Sequence, residues 1–212
     1  MQCSACRHEA VIFQPYSGRY LCRDHFFESV ESRAKREIRK CQGVRPGDHI
    51  GVVQDGNLPA RVLLTFLEDL TRGRKNIRVS AACAGSCPDP SITRMALAVT
   101  LEDAAATVLA SLLEGYRGQP VTACRDAGPC SLPQFAPFAH IPEEEIVLYG
   151  RFLGIAGEAG SPQDPDPFVC EVKSLLADYT GKHPAAPYAV LNLGGELDRI
   201  RCTWPGVDRH GA

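Results

Sequence analysis

From residue 44 onward the chain alternates short apolar runs with longer stretches of helical periodicity. "HIGVV" reads as a buried strand that follows the turn "VRPGD", and the next segment, "LPARVLLTFLEDLTR", places Leu63, Phe66, Leu67 and Leu70 along one side of a helix. Pro59 suits the first turn of that helix, where its missing N–H would be unpaired anyway. "KNIRVSAAC" predicts another strand. "LEDAAATVLASLLEG" predicts a helix with Leu101, Ala105, Val108, Leu109 and Leu112 inward, closed by Gly115. "PEEEIVLYGRFLGI" opens with Pro142 and three acids at the positive end of a helix, and Val169, Val172, Leu176 and Tyr179 predict a further helix over about 168–180. Strands alternating with helices give an α/β fold class, a mostly parallel sheet with helices on both faces. "CAGSCPDPS" and "GEAGSPQDPDP" are loops, and "PGVDRHGA" is a frayed tail.

The first 43 residues have a different texture. "AVIF" and "RYL" are strand-like and flank the turn-former "QPYSG", which predicts a hairpin. "FFESVESRAKREIRK" then brings Phe27, Val30, Ala34 and Ile38 near one helix face, with Arg33, Lys35, Arg36, Arg39 and Lys40 around the rest. Five bases against three acids fit either a solvated face laced by Glu–Lys pairs or a contact to a phosphate backbone. The organisation expected is a small finger at 1–26, a basic linking helix at 27–43, an α/β domain at 44–200 and a tail at 201–212.

Charge changes this picture little: 23 basic residues stand against 25 acidic ones, so any attraction to nucleic acid must be local. No run of 18 apolar residues occurs, and "MQCSACRHEA" lacks the character of a signal peptide, so a cytoplasmic protein with no membrane partner is expected. Ten cysteines change it a great deal. In a reducing compartment they point to metal ligation, with oxidised pairs as the alternative.

Cys3 and Cys6 flank two residues, fifteen residues follow, and Cys22 and His25 repeat the same gap. The two-residue gap lets both ligands of a tight turn reach one ion, and the hairpin brings the second pair round to complete a set of three sulfurs and one nitrogen that suits Zn2+. Four protein ligands close the site, which makes the ion structural. Metal binding worth on the order of 10–16 kcal/mol would be the main folding term of so small a unit. Loss of a ligand cysteine should then melt residues 1–40 locally. The alternative is a set of unligated thiols beside a coincidental histidine. His8 lies off the pattern and reads as a surface residue.

The order of this finger, a basic helix and a strand–loop–helix resembles the TtuA-type and cytosolic tRNA 2-thiolation proteins, PP-loop ATPases of the adenine nucleotide α-hydrolase-like fold. "LEDAAATVLASLLEG" is similar to the family's "LDDEAQTVLMNLLRG", "HIPEEEIVLYGRFLGI" to its "IPEKEV…LYA…GI", and "KHPAAPYAVLNLGGEL" to a family segment that begins "HPGTKY". Together these patches cover most of residues 3–198 in family order. The resemblance implies a truncated PP-loop α/β domain behind a zinc finger.

The departures concern chemistry. Where the family has S-G-G-K-D-S, this chain has Gln54, Asp55, Gly56, Asn57, Leu58 and Pro59. The family loop cradles pyrophosphate with backbone N–H groups, hydroxyls and a lysine at a helix N-terminus. Here the lysine position is Asn57, both serines are gone, Pro59 removes a donor, and Asp55 sets a carboxylate where phosphate oxygens would lie. The family also holds an iron–sulfur cluster on three cysteines. On this resemblance the C-x3-C of Cys83 and Cys87 corresponds to a remnant of its pair and Ser161-Pro162 to the third position, while Cys124, Cys130 and Cys170 form no cluster spacing; the plainer reading of all five cysteines is free thiols in a core or loop. Of the family's C-terminal four-cysteine site only Cys202 remains. These departures argue against both ATP and an iron–sulfur cluster as cofactors. His140 with Glu143–Glu145, and Asp103, read as helix-start residues before they read as acid–base groups.

The resulting expectation is a non-catalytic paralogue that binds zinc and interacts with tRNA, with a related thiolation enzyme, or with itself as an oligomer. An active ATP-dependent tRNA sulfurtransferase with an atypical phosphate loop is the alternative.

Overall fold

A computed structural model describes residues 1–83, 89–115, 132–157 and 166–203. The N-terminal hairpin pairs β1 (Ile12–Gln14) with β2 (Arg19–Leu21) antiparallel, in the register Ile12–Leu21 and Gln14–Arg19. Directly behind it α1 (Arg23–Lys40) runs as one unbroken helix. The finger therefore ends inside a helix: His25 sits on α1, and the expected boundary between residues 26 and 27 falls within its first turn. Phe26 rather than Phe27 is the fully buried member of that pair, in line with Val30, Ala34 and Ile38.

The α/β body has a four-stranded sheet, all parallel, in the order β4–β3–β5–β6. Its strands are β3 (His49–Gln54), β4 (Arg78–Cys83), β5 (Arg94–Ala96) and β6 (Gln134–Phe135). Between β3 and β4 runs α2 (Leu58–Thr71), which buries Val62, Leu63, Phe66 and Leu67. Leu70 is only partly buried. β5 leads to α3 (Leu101–Leu113), and β6 leads to α4 (Glu143–Phe152). The chain continues with α5 (Pro167–Thr180) and α6 (Ala186–Thr203), both packed against α3. α5 buries Val172 and Leu176 and leaves Tyr179 exposed. The expected tail begins inside α6, whose last turn includes residues 201–203.

One continuous apolar cluster joins the two halves. Cys3, Leu21 and Cys22 of the finger and Phe26, Val30 and Ala34 of α1 pack with Ile50, Val52, Leu63, Phe138, Ile146 and Tyr149 of the body. The finger and the α/β body thus share one hydrophobic core. Among the described residues no helix is long and apolar enough to cross a membrane.

Candidate metal centre and phosphate loop

The finger brings its four predicted ligands together. The ligand atoms of Cys3, Cys6, Cys22 and His25 all lie within 4.8 Å of one another. His25 Nδ1 is 3.2 Å from Cys22 Sγ and 3.6 Å from Cys3 Sγ, and Cys6 Sγ is 3.6 Å from Cys22 Sγ. A tetrahedron built on metal–sulfur bonds of about 2.3 Å and metal–nitrogen bonds of about 2.0 Å has edges of roughly 3.5–3.8 Å, so the donor set fits one ion. The local fold explains the convergence. Backbone bonds from Cys3 N to His8 O and from Ser4 N to Tyr20 O close the first turn onto β2, and Cys22 follows β2 directly as the N-cap of α1.

The electrostatics favour ligation. Burial opposes ionisation of Cys3, but N–H groups of Ala5, Cys22 and Cys6 outweigh it and bring the thiol down to about 6. The backbone and ring of His25 lower Cys22, and Cys22 in turn raises His25. Cys6 is pushed up by burial and by its thiol neighbours despite the His8 amide. His8 is exposed, as its position off the pattern suggested.

At the other candidate site, β3 ends at Gln54 and α2 begins at Leu58, so the loop sits at a helix N-terminus at the carboxyl end of the sheet. Gly56 has φ +85°, a left-handed conformation that favours glycine at this turn. Four of the loop's donors, the Asn57 and Ala60 amides and the side-chain amides of Asn57 and Gln54, are engaged within the loop and α2. Asp55 Oδ1 accepts from the Asn57 N–H at 3.2 Å, and Asp55 Oδ2 from the Asn57 side-chain amide at 2.6 Å. Asn57 Oδ1 caps the helix by accepting from Ala60 N at 2.9 Å, Gln54 Nε2 donates to Ala60 O at 3.1 Å, and Pro59 has no N–H.

The basic residues of α1 divide into two groups. Arg33 is held inward by an ion pair with Glu145, which is fully buried, and donates to the His140 carbonyl and Tyr188 hydroxyl. Lys35 pairs with Glu31 at 2.6 Å and Lys40 with Glu37 at 2.8 Å. Arg36 and Arg39 form no ion pair among the described residues. Of the five bases expected to meet nucleic acid, Arg33 is thus a structural residue.

Asp103 forms a capping box with Thr100 and an ion pair with Lys173 at 2.6 Å, which matches its reading as a helix-start residue. Cys83 and Cys170 are exposed free thiols. Cys41 lies at the end of α1, half-buried against the core. Cys87, Cys124, Cys130 and Ser161 lie outside the described residues, as does the side chain of Cys202.

Sequence reasoning missed the site around Glu145. Its carboxylate accepts from Gln14 Nε2 at 3.0 Å and from Tyr16 Oη at 2.7 Å, besides pairing with Arg33. The only signal was an acid at a position of α4 that helical spacing places inward.

Residues 2–27 match the protein family described as 2-thiouridine synthetase TtuA, N-terminal LIM domain. The chain is 33% identical over 172 residues to the tRNA 2-thiolation protein NcsA of Haloferax volcanii, an alignment that covers 78% of this chain and 43% of that protein. It is 33% identical over 79 residues to a probable sulfurtransferase of Methanocaldococcus jannaschii, covering 37% of this chain and 23% of the relative. The chain thus spans less than half the length of these curated relatives. Its fold superposes with a TM-score of 0.77 on the U34-tRNA thiolase NcsA from Methanococcus maripaludis, solved with its [4Fe-4S] cluster, at 14% identity, covering 94% of this chain and 87% of that one. That neighbour leaves the argument against an iron–sulfur cluster without support from comparison. Finger, body and sequence agree in what they resemble: the finger matches the TtuA N-terminal domain, and the chain as a whole is similar to the TtuA/NcsA-type tRNA thiolation proteins.

Proposed function

We propose that this chain is a non-catalytic member of its family, a zinc-binding protein that interacts with tRNA or with a related thiolation enzyme during tRNA thio-modification. The observation that carries the proposal is the internal bonding of Asp55 and Asn57 across the loop. The Asn57 and Ala60 amides are spent on Asp55 and Asn57, Pro59 offers none, and the Asp55 carboxylate stands at the mouth of α2. A triphosphate arriving there would have to displace these bonds and face a like charge at short range, worth a few kcal/mol at a moderate effective dielectric. The finger is intact beside it, with a closed donor set of three sulfurs and one nitrogen. Cys3, Cys6, Cys22 and His25 would hold a zinc ion that would supply folding energy and tie the hairpin to α1, with no open position for a substrate.

Incubation of the purified chain with Mg-ATP, a sulfur donor and tRNA tests this reading. Tight tRNA association without ATP turnover and without a thiolated nucleoside is the expected result. ATP-dependent appearance of thiolated tRNA refutes it.

A second reading, an active ATP-dependent sulfurtransferase, draws on the cluster carried by the M. maripaludis structure. Anaerobic reconstitution with iron and sulfide decides between them: a stable brown cluster chromophore on the zinc-loaded chain favours the enzyme, and a colourless chain favours the paralogue.

A further inference from the structure

The helix ends farthest from the phosphate loop enclose a basic groove. It lies between the last turns of α1 and α2 and the segment leading into β3, with a volume of about 600 Å3. Lys35, Arg39, Arg45 and Arg74 line it over an apolar floor that includes Ile38 and Leu70, and no acidic side chain is among its lining residues. In a chain with net charge −2 this is a local concentration of positive charge, not a sample of the average surface.

Its shape is built in. Gln42, just past the end of α1, takes a left-handed conformation, φ +45°, and Val44 and Arg45 beyond it line the groove. Gln42 Oε1 then accepts from the Arg45 guanidinium. Arg39 and Arg74 make no ion pair among the described residues, so their charge is open to a ligand. Cations in a last helical turn also complement the helix dipole, which accounts for Arg39. It does not account for Arg45, which precedes a strand.

We propose that this groove grips an unstacked stretch of RNA, with Arg39 and Arg74 on backbone phosphates and a base laid over the Ile38–Leu70 floor. Three of the four cations are arginines, whose planar forks bind phosphate oxygens in pairs and stack on bases. The apolar floor suits a base face, whereas an acidic peptide would need donors there. The proposal rests on the tRNA reading above and adds the place of contact. The 14 residues of α2 separate groove from phosphate loop by about 20 Å, so RNA held here does not need a working loop.

Fluorescence anisotropy with a tRNA transcript, on the zinc-loaded full chain over a series of salt concentrations, tests the groove. The double variant Arg39→Glu/Arg74→Glu should lose at least about tenfold in affinity near physiological salt, and its salt slope should fall by about two phosphate contacts. Arg151→Glu/Lys182→Glu makes the same charge change at exposed positions elsewhere and should stay within about threefold of wild type. Arg39→Gln/Arg74→Gln, which adds no acid, should show the same loss in milder form; an unfolding curve on each variant verifies the fold. Wild-type binding with an undiminished groove variant overturns the groove and leaves the tRNA reading standing. A wild-type chain that binds no tRNA overturns both. Poly-glutamate that binds the groove and resists displacement by tRNA overturns the RNA assignment in favour of an acidic protein partner.

Discussion

Tyr16, at the tip of the β1–β2 hairpin, donates a 2.7 Å hydrogen bond to Glu145, the fully buried acid in the first turn of α4. These residues are 129 positions apart in sequence, and Gln14 and Arg33 converge on the same carboxylate. Burial, followed by the Glu145 charge, holds the Tyr16 hydroxyl protonated far above its ordinary range, so it acts as a fixed donor. The metal finger is thereby bolted to the α/β body at a point distinct from its ligands.

Breaking that bolt should be costly. Glu145→Ala leaves Arg33 buried without its counter-charge and should destabilise the chain by about 3–5 kcal/mol. Tyr16→Phe removes one bond to a charged acceptor and should cost about 2 kcal/mol. Urea unfolding of both variants measures this, and a Glu145→Ala cost below that of Tyr16→Phe contradicts the assigned geometry.

Metal removal should act on the whole molecule. The sequence suggested that Cys3→Ser, Cys6→Ser or Cys22→Ser would melt residues 1–40 and spare the rest. Cys3, Leu21 and Cys22 share one core with Ile50, Leu63 and Tyr149, so their loss should lower the stability of both halves together. Hydrogen exchange after chelation should show faster exchange in α1 and β3 alike; protection retained in β3 with α1 melted contradicts this.

Stability should fall on mild acidification partly through His140. Burial lowers its pKa, Glu37 at 3.4 Å offsets this in part, and Lys40, Arg36 and Arg33 lower it further. Between its folded value and the ordinary value of about 6.5, the unfolded chain binds more protons than the folded one. The contribution is therefore complete above about pH 6.5 and lost as the pH drops toward the folded value. His140→Gln should unfold with a shallower pH slope than wild type between about pH 7 and 5; equal slopes contradict the assignment.

Close helix packing makes Gly150 sensitive. A Cβ added there would lie 2.8 Å from Val62 Cγ2, across the α2–α4 contact. Gly150→Ala should cost about 1–3 kcal/mol by overpacking, read as a drop in the urea midpoint, and Gly150→Ala/Val62→Ala should recover part of it. A single variant as stable as wild type contradicts the packing.

Local patterns in the sequence carried far. The Cys3–Cys6 and Cys22–His25 spacings identify a ligand quartet because the turns that join each pair are short-range. The periodicity around Leu63 and Val108 locates α2 and α3 because one face of each is buried. Strands β5 and β6 escape such reading: three and two residues are too few to show alternation. α6 was hidden by Gly194 and Gly195, poor helix formers, yet an added Cβ on Gly194 would lie 2.9 Å from Val108 Cγ2, so the α3–α6 contact uses its small size. Glu145 was unreadable because its partners Gln14 and Arg33 lie 131 and 112 residues away. Arg33 looked solvent-facing for the same reason.

The central claim concerns residues 54–59, and calorimetric titration of Mg-ATP into the zinc-loaded chain tests it most directly. No saturable heat up to millimolar nucleotide is the predicted result, for wild type and for Asn57→Lys, which restores a charge but loses the cap on Ala60 N. Saturable wild-type binding that weakens when Leu58 or Gly56 is replaced would contradict the account, because it would seat a triphosphate where Asp55 now stands.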